Sequence, residues 1–347
     1  MLEGKKDGWK ALIALAPALV ILIVFTFIPI INTTLTAFLD NWSYSGLVNS
    51  TTKVCTEYNA NGVCIFWESP RASVTLFDRI FKIFAFNHAF DGFGVQSFVT
   101  VLKDSYFWNA LKNTFIMVLI SVPLTVIVGL LVSVCLNSIK KLQGLFQTVF
   151  FLPYVTNTIA LGMVFQIMFS RDNGLINSLL NFIGKDGVNW IGVGSGYWAG
   201  MFVITIYTLW NGLAFKILVL LSGLQSIDKQ YYQAAQIDGA SKIKTFFKIT
   251  VPLLSPMIAY ITITSFIGAF KAYSSVIAVY SYVGNNAMGP SGNPYMLETV
   301  VGYIYRHLNL TTPGEVPISA AASIILLIII LLFTVVQLWV SKKKVHY

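Results

Sequence analysis

Charged residues are scarce in this sequence. Asp, Glu, Lys and Arg together make up 11% of its 347 residues, whereas soluble domains contain about 25%. Hydrophobic residues make up 56%, and the mean hydropathy is +0.72. The few charges collect between long apolar runs instead of being spread along the chain. This distribution excludes an ordinary soluble domain and indicates a membrane protein.

Residues that carry most enzyme chemistry are also scarce. The three histidines, His88, His307 and His346, have no Cys, His or carboxylate neighbour at metal-ligand spacing. The phosphate loop G-x-x-x-x-G-K-S/T is absent, and no apolar run has an Asp or Glu at its centre. We therefore expect no catalytic site, no metal site and no cofactor on this chain. A proton relay built on membrane carboxylates is equally disfavoured.

Cysteine is limited to three residues, two of which lie close together. Cys55 and Cys64 flank Asn61-Gly62, a dipeptide that is the strongest short signal for a β-hairpin. We expect a short ribbon there, outside the membrane, where an oxidising environment permits a disulfide. Cys55 and Cys64 therefore form a candidate disulfide.

Long apolar runs dominate the rest of the chain. A helix needs about 20 mostly apolar residues to cross a bilayer, and six stretches meet this length. The first is too long for a signal peptide and has no prompt cleavage site, so we expect a retained span. The six predicted spans of this all-α polytopic protein are 11–36, 109–137, 145–169, 197–224, 253–281 and 318–340.

Basic residues indicate the orientation. Six spans place both termini on one side of the membrane, together with the short loops 138–144 and 225–252. These segments carry 12 of the 23 basic residues. By the positive-inside rule both termini are cytoplasmic, in the cytoplasmic membrane of a bacterium or archaeon. The net charge of +9 thus reports topology, and nothing calls for nucleic acid as a partner.

The sequence predicts three parts along the chain. Residues 1–40 form the cytoplasmic N-terminus and first span. Residues 41–107 form an extracytoplasmic insertion between the first and second spans. Residues 108–347 form a core of five spans, with the cytoplasmic loop 225–252 inside it.

Polar side chains within the third to fifth spans form a candidate solute pathway. Amides, a cation and aromatic rings suit a polyhydroxylated ligand, although the same groups serve helix–helix packing equally well. The candidate residues are Asn157, Tyr207, Trp210, Asn211, Lys271 and Tyr273.

Two lysines lie within or near the apolar runs. Lys216 is a few turns from the cytoplasmic end of its span, so we expect its side chain to reach an interface or a cavity wall and assign it no role in solute binding. Lys271 is deeper and could either meet a solute or line a cavity wall. A phosphate group on the solute is one candidate partner for Lys271.

The loop between the fourth and fifth spans is the most informative stretch. It reads YYQAAQIDGA from Tyr231 and FFKITVPLL from Phe246. Residues 230–237 predict a short amphipathic helix with Ala234 and Ala235 as a flat surface, and Gly239 is a typical residue to end it. A second helix is expected to start near residue 241. A short helix with a small-residue face is suited to dock into a groove on a partner.

This stretch resembles the E-A-A…G motif of permease subunits in ATP-binding-cassette importers, in its carbohydrate-permease form. Further similarity to that family is found in GVQSFVTVLKDSYFWNALKNT, FFLPYVTNTIALG, GLINSLL, LSGLQSID and ETVVGYIY. These matches cover most of the chain from 94 to 340. The resemblance implies the six-helix fold of type I importer permeases and a carbohydrate solute, an oligosaccharide or glycoside. A glycerol-phosphate-like solute, or secondary transport, is the alternative.

The same resemblance implies a set of partners. A second permease subunit, two ATP-binding-cassette subunits that hold ATP and Mg²⁺, and an extracytoplasmic solute-binding protein would complete the importer. The insertion would form a cap that contacts the binding protein. The short helix would be the coupling helix, seated on an ATPase subunit through Gln233, Ala234, Ala235, Asp238 and Gly239.

Three positions depart from the family pattern. Gln233 replaces the motif's glutamate, which exchanges a charge-assisted contact for a weaker neutral hydrogen bond. Asp228 stands where proline is common, and Ser274 stands where many members have aspartate. Because of the last difference, the identity of the solute is not inferred from that of other family members.

Overall fold

The computed structural model of the chain describes residues 6–40, 42, 54–58, 64–68, 92–139, 143–280, 288–290, 293–309, 312 and 314–344. Nearly all of the regular structure is helical. The helices are α1 Lys6–Leu22, α2 Ile28–Ala37, α3 Gln96–Lys103, α4 Ser105–Ser138, α5 Gln143–Val155, α6 Thr158–Met168, α7 Leu175–Phe182, α8 Tyr197–Ser226, α9 Lys229–Ile237, α10 Lys242–Thr245, α11 Val251–Leu253, α12 Ser255–Phe270, α13 Ser274–Tyr280, α14 Val300–Arg306 and α15 Glu315–Lys344. Short π-helical segments at Ile23–Phe27 and Phe246–Thr250 join α1 to α2 and α10 to α11.

Among the residues that the structure describes, four helical segments are long and apolar enough to cross a membrane, and two bent pairs also qualify if each pair is one span. The positions agree with the six predicted spans, so the prediction of an all-α polytopic fold is confirmed. The four unbroken segments are Leu12–Ala37, Ser105–Ser138, Tyr197–Ser226 and Glu315–Lys342.

The third span is bent by 98° between α5 and α6. Asn157 causes a new helix to begin there, because its side chain accepts hydrogen bonds from the backbone N–H groups of Ile159 at 2.8 Å and Ala160 at 3.3 Å. This is N-cap geometry, which satisfies donors that a helix start leaves without partners. The sequence predicted one uninterrupted span across this bend.

The fifth span differs from its prediction at both ends. The helical structure of this span already begins at Lys242. It bends by 68° at the buried Leu254, before α12 begins. Pro256 lies in the first turn of α12, where its missing N–H costs no helical hydrogen bond. The span was predicted to run to residue 281, but α12 ends at Phe270 and α13 follows as a separate helix. Ser241 caps α10 through the N–H of Lys244, which confirms the predicted start near 241.

The chain divides into two compact units. One contains residues 1–104 and 304–326, and the other contains residues 105–303 and 327–347. The first unit holds two antiparallel strand pairs, Leu39–Asp40 (β1) with Gly92–Phe93 (β4) and Val54–Tyr58 (β2) with Cys64–Glu68 (β3). Much of the predicted insertion (43–53, 59–63 and 69–91) lies outside the described residues. The three-part division of the chain stays a prediction.

The predicted hairpin around residues 61 and 62 is present as β2 and β3. In its register Cys55 is opposite Trp67, and Cys64 is opposite Tyr58, so the two cysteines are not cross-strand neighbours. Their side chains lie outside the described residues, and the disulfide stays a prediction.

Close helix contacts in the second unit depend on small residues. A Cβ atom at Gly162 in α6 would overlap Ala278 in α13, and one at Gly200 in α8 would overlap the Tyr280 hydroxyl. Small residues let helix backbones approach closely where lipid supplies no hydrophobic drive between helices. These contacts bring α6, α8 and α13 together around a buried apolar core that includes Phe165.

Candidate functional sites

A cavity of about 510 Å³ lies among the helices of the second to fifth spans. Its volume is within the range of about 300–1,000 Å³ that is usual for small-molecule sites. Helices α4, α5, α6, α8, α12 and α13 all contribute to its walls. The polar residues that line it are Ser121, Thr125, Tyr154, Thr158, Tyr207, Thr208, Asn211, Lys216, Thr264, Ser265 and Ser275.

Helix α8 supplies one continuous face to this cavity. Tyr207, Asn211 and Phe215 line it at four-residue intervals, and each is followed by a second lining residue. This spacing follows the helical repeat of 3.6 residues. Trp210 is one residue, or about 100°, away from Asn211 on the helix. It lies off the lining face, 39% exposed, with its ring 5.7 Å from that of Phe165.

Two of the six residues predicted for the solute pathway therefore line the cavity, Tyr207 and Asn211. Both also hold the bent third span. The Tyr207 hydroxyl donates to the carbonyl oxygen of Thr158 at 2.9 Å, and Asn211 Nδ2 donates to that of Pro153 at 3.3 Å. Within the described part of the chain, Asn211 Oδ1 accepts no hydrogen bond, so an acceptor remains available to a ligand.

The other predicted residues have different surroundings. Asn157 caps α6 at the bend, as described above. Lys271 follows the last residue of α12, is exposed, and does not line the cavity. Tyr273 is half-buried and packs against the apolar core. The structure thus does not bring Lys271 and Tyr273 into one site with Asn211.

Lys216 also lines the cavity, although it was not predicted as a pathway residue. Its ammonium Nζ donates to the carbonyl oxygen of Gly212 at 3.1 Å, one turn back toward the N-terminus of α8. Side chains on a helix tilt in that direction, so the ammonium group points away from the C-terminal end of α8. Of the two places expected for Lys216, an interface or a cavity wall, the structure shows the cavity wall. Lys216 is one and two turns from Gly212 and Thr208, on the lining face of α8.

Two cavity hydroxyls have unused hydrogen-bonding capacity. Ser121 Oγ and Thr208 Oγ1 are buried and have no hydrogen-bond partner among the residues that the structure describes. Buried polar atoms are rarely left in this condition without a water or ligand beside them. Both residues line the cavity, but the two oxygen atoms are themselves enclosed by protein, so they do not by themselves indicate a ligand.

Helix α9 in the loop after α8 is the second candidate site. Asp228 caps its start by accepting from the N–H of Gln230 at 2.9 Å. At its end Gly239 has a φ of +68°, and Ala240 N–H donates to Ala235 O at 2.9 Å. This is the glycine-terminated ending that closes many helices. The predicted helix and its glycine stop are confirmed.

The two alanines of α9 face opposite ways. Ala235 is buried, at 6% exposure, while Gln233, Ala234, Asp238 and Gly239 are exposed. The predicted flat surface of two alanines is therefore wrong in part, since Ala235 packs inward. The exposed surface has apolar residues that the sequence did not single out, namely Ile237 at 86%, Ile243 at 72% and Phe247 at 65% exposure.

Helix α9 is connected to two helices that line the cavity. It follows α8 directly, with only Ile227 and Asp228 between them. On its other side the Tyr232 hydroxyl is 3.3 Å from Thr250 Oγ1, in the segment that leads through the bend at Leu254 into α12. A displacement of α9 would therefore reach α8 and α12 together.

The part of the chain that the structure describes contains no group of three or more His, Cys, Asp or Glu residues that could hold a metal ion. A multi-span helical protein with an internal polar cavity and a capped helix in a loop between spans has the form of a membrane transport component. The chain belongs to the family described as binding-protein-dependent transport system inner membrane components, whose family model matches residues 121–346.

Named relatives include sugar permeases. The chain is 35% identical to the arabinooligosaccharides transport system permease protein AraP of Halalkalibacterium halodurans over 215 residues, covering 61% of this chain and 64% of that protein. It is 31% identical to the trehalose/maltose transport system permease protein MalF of Thermococcus litoralis over 249 residues, covering 72% of this chain and 79% of that protein. The match thus spans less than two thirds of the AraP length.

The fold is shared with a solved transporter. A chain in the crystal structure of a bacterial alginate ABC transporter, in complex with an alginate pentasaccharide-bound periplasmic protein, matches with a TM-score of 0.70. The match covers 99% of this chain and 98% of that chain at 19% identity. At this identity the comparison shows the fold alone.

Proposed function

We propose that this chain is a permease subunit of an ATP-driven importer of a carbohydrate. Family membership makes it a membrane component of a binding-protein-dependent transport system. The observation that carries the proposal is the cavity, whose largely apolar wall also presents hydroxyls, an amide and a lysine, with α9 connected to two of its walls. Oligosaccharides present many hydroxyl groups, which can donate to the available acceptor Asn211 Oδ1.

The solute class has support from the relatives. AraP and MalF are named for arabinooligosaccharides, and for trehalose and maltose. Their likeness favours an oligosaccharide or glycoside for this chain. A glycerol-phosphate-like solute is the second candidate, favoured by one cation in the cavity, Lys216.

In the proposed importer this chain would have several partners. A second permease would complete the pathway, and two ATPase subunits would bind ATP and Mg²⁺. An extracytoplasmic binding protein would deliver the solute. Both termini and α9 would then lie on the cytoplasmic side, as the distribution of basic residues favours.

Coupling would act through α9. Gln233, Ala234, Asp238 and the exposed Ile237 present a surface that an ATPase groove can receive. When ATP draws the ATPase subunits together, α9 would move with them and shift α8 and α12 at the cavity. ATP can change the access of the cavity only by its differential affinity for the two states.

Reconstitution tests this function. The chain is purified from its native membrane in mild detergent with its partners and placed in proteoliposomes with the binding protein. A panel of radiolabelled arabinooligosaccharides and maltooligosaccharides is offered to the proteoliposomes. We expect their uptake to require ATP on the side of the membrane that the ATPase subunits face. Recovery of the chain alone, active without ATP, would contradict the proposal and favour secondary transport.

The insertion at 41–107 has a separate proposed role as a cap that contacts the binding protein. Deleting residues 50–86 is expected to weaken the affinity of the importer for its binding protein. Unchanged affinity after the deletion would rule out this role while leaving the importer proposal intact.

A further inference from the structure

The ammonium group of Lys216 lies at the middle of its span. Its hydrogen-bond partner Gly212 is 15 residues after Tyr197 and 14 before Ser226, which is about 22 Å and 21 Å along the helix axis. The hydrocarbon layer is about 30 Å thick. The midpoint of a span of this length lies well inside that layer, far from either interface.

A charged lysine at this depth is energetically unfavourable unless another group compensates its charge. Placing its charge in a helix centre costs about 3 kcal/mol or more. The usual escape is for the side chain to extend to the nearer interface, but Lys216 folds back toward the membrane centre. Its single hydrogen bond in the described part of the chain is to Gly212, and it forms no ion pair there. Two of the three ammonium protons are thus left for another partner.

The surroundings make room for this conformation. A Cβ atom at Gly212 would lie 3.1 Å from Lys216 Nζ, and one at Gly129 in α4 would lie 3.3 Å from Lys216 Cβ. Glycine at both positions lets the lysine stem lie between α4 and α8 with its ammonium group at the cavity. The same cavity is lined by Asn211, whose Oδ1 accepts no hydrogen bond from the described residues.

We propose that Lys216 recognises an acidic group on the solute, so that the imported carbohydrate is an anion. The acidic group would be a carboxylate, a sulfate or a phosphate ester, each of which accepts several hydrogen bonds from an ammonium group. Asn211 Oδ1 would accept a hydrogen bond from one of the solute's own hydroxyl groups. This inference rests on the proposed function, because it names the substrate class of the same cavity.

The solute is favoured over a carboxylate from the second permease as the partner of Lys216. The ammonium group faces a cavity that six helices of this chain already line, so a solute in the cavity reaches it without a residue from another chain. A carboxylate from outside would satisfy Lys216 and leave the acceptor Asn211 Oδ1 without a partner.

Paired solutes test this assignment in the assembled importer with its binding protein. The pairs are digalacturonate with galactobiose, glucose 6-sulfate with glucose, and glycerol 3-phosphate with glycerol. The wild type is expected to take up the anionic member of one pair at least about tenfold faster than its neutral member, since a charge-assisted hydrogen bond is worth this much. The pair that shows this preference identifies the acidic group. The comparison uses the wild type alone, so it does not depend on whether a variant folds.

Substitutions then connect the preference to Lys216. Lys216→Met keeps the stem and removes the charge, and is expected to lower anion uptake at least about tenfold. Lys216→Arg is expected to retain most uptake. Lys271→Gln, which removes an exposed lysine outside the cavity, is the matched control and should have no effect.

Three outcomes would overturn the assignment. Equal uptake of the anionic and the neutral member of every pair by the wild type would reject an anionic solute and leave the carbohydrate importer standing. Loss of neutral uptake in Lys216→Met with retention in Lys216→Arg would assign Lys216 to an ion pair with the second permease. ATP-dependent uptake of none of the six solutes or of the neutral oligosaccharide panel would reject the proposed function, and this inference with it.

Discussion

Gly239 offers the sharpest test of the α9 geometry. Its φ of +68° lies in the left-handed region, where glycine alone among the common residues has no steric penalty. No other residue lies within 4 Å of a Cβ atom built on Gly239. A Gly239→Ala substitution therefore perturbs only the backbone conformation and causes no clash with neighbouring residues.

The expected cost follows from that conformation. An alanine in the left-handed region costs about 1–2 kcal/mol, which corresponds to a factor of about 5–30 in a local equilibrium. The end of α9 should open more often by this factor, since the turn at residue 239 positions the Ala240 amide for its 2.9 Å bond to Ala235 O. Gly239→Asn is the matched control, because asparagine tolerates the left-handed region.

Hydrogen exchange measures this opening directly. In Gly239→Ala, the amides of residues 238–240 should exchange about 5–30 times faster than in the wild type, and those of α12 should be unchanged. In the assembled importer the same variant should lower uptake per ATP hydrolysed more than Gly239→Asn does. Equal exchange rates in the alanine and asparagine variants would refute the reasoning, because the left-handed strain would then not control the end of α9.

Three further substitutions test the bend, the helix packing and the coupling contact. Asn157→Ala removes the cap of α6 and should lower the free energy of unfolding in detergent by about 0.5–2 kcal/mol, seen as a lower thermal midpoint, whereas Asn157→Asp should preserve it. Gly162→Val places side-chain atoms where Ala278 lies and should cost about 1–3 kcal/mol by the same measurement. Tyr232→Phe removes the contact with Thr250 and should lower uptake per ATP hydrolysed without changing assembly.

The packing and coupling substitutions each have a control at a second position. Gly268→Val adds the same atoms at an exposed site where a Cβ atom meets nothing within 4 Å, so equal losses for Gly162→Val and Gly268→Val would argue against the packing explanation. Tyr231→Phe removes a neighbouring exposed hydroxyl. If Tyr231→Phe and Tyr232→Phe uncouple transport equally, the contact with Thr250 is not the reason.

Local signals in the sequence were sufficient for the spans and for α9. Apolar length alone located six spans, because a bilayer imposes its thickness on every helix that crosses it. Gly239 ended α9 as predicted, since a glycine stop is a property of a few consecutive residues. The 98° bend was missed because Asn157 acts as a cap only when the chain has already turned, which an apolar run does not reveal.

The pathway residues were harder to predict because they depend on which face of a helix meets the cavity. Trp210 and Asn211 are adjacent in sequence and about 100° apart in space, and only Asn211 lines the cavity. Lys271 was expected at depth, but α12 ends just before it. The position of Lys216 in the sequence gave its distance from the end of the predicted span. It gave no information on the direction of its side chain.

Helix α8 explains why recognition and coupling can be joined in one short segment of sequence. From Tyr207 to Lys216 it lines the cavity, and ten residues later it ends at Ser226, with two residues between it and the start of α9. A hydrogen-bonded helix transmits an axial displacement along its length because its backbone bonds resist stretching. A movement of α9 imposed by a partner would therefore shift Asn211 and Lys216 relative to the cavity wall on α4. The proposed solute contacts on α8 would then change, which would give the two states different affinities for the solute, as alternating access requires.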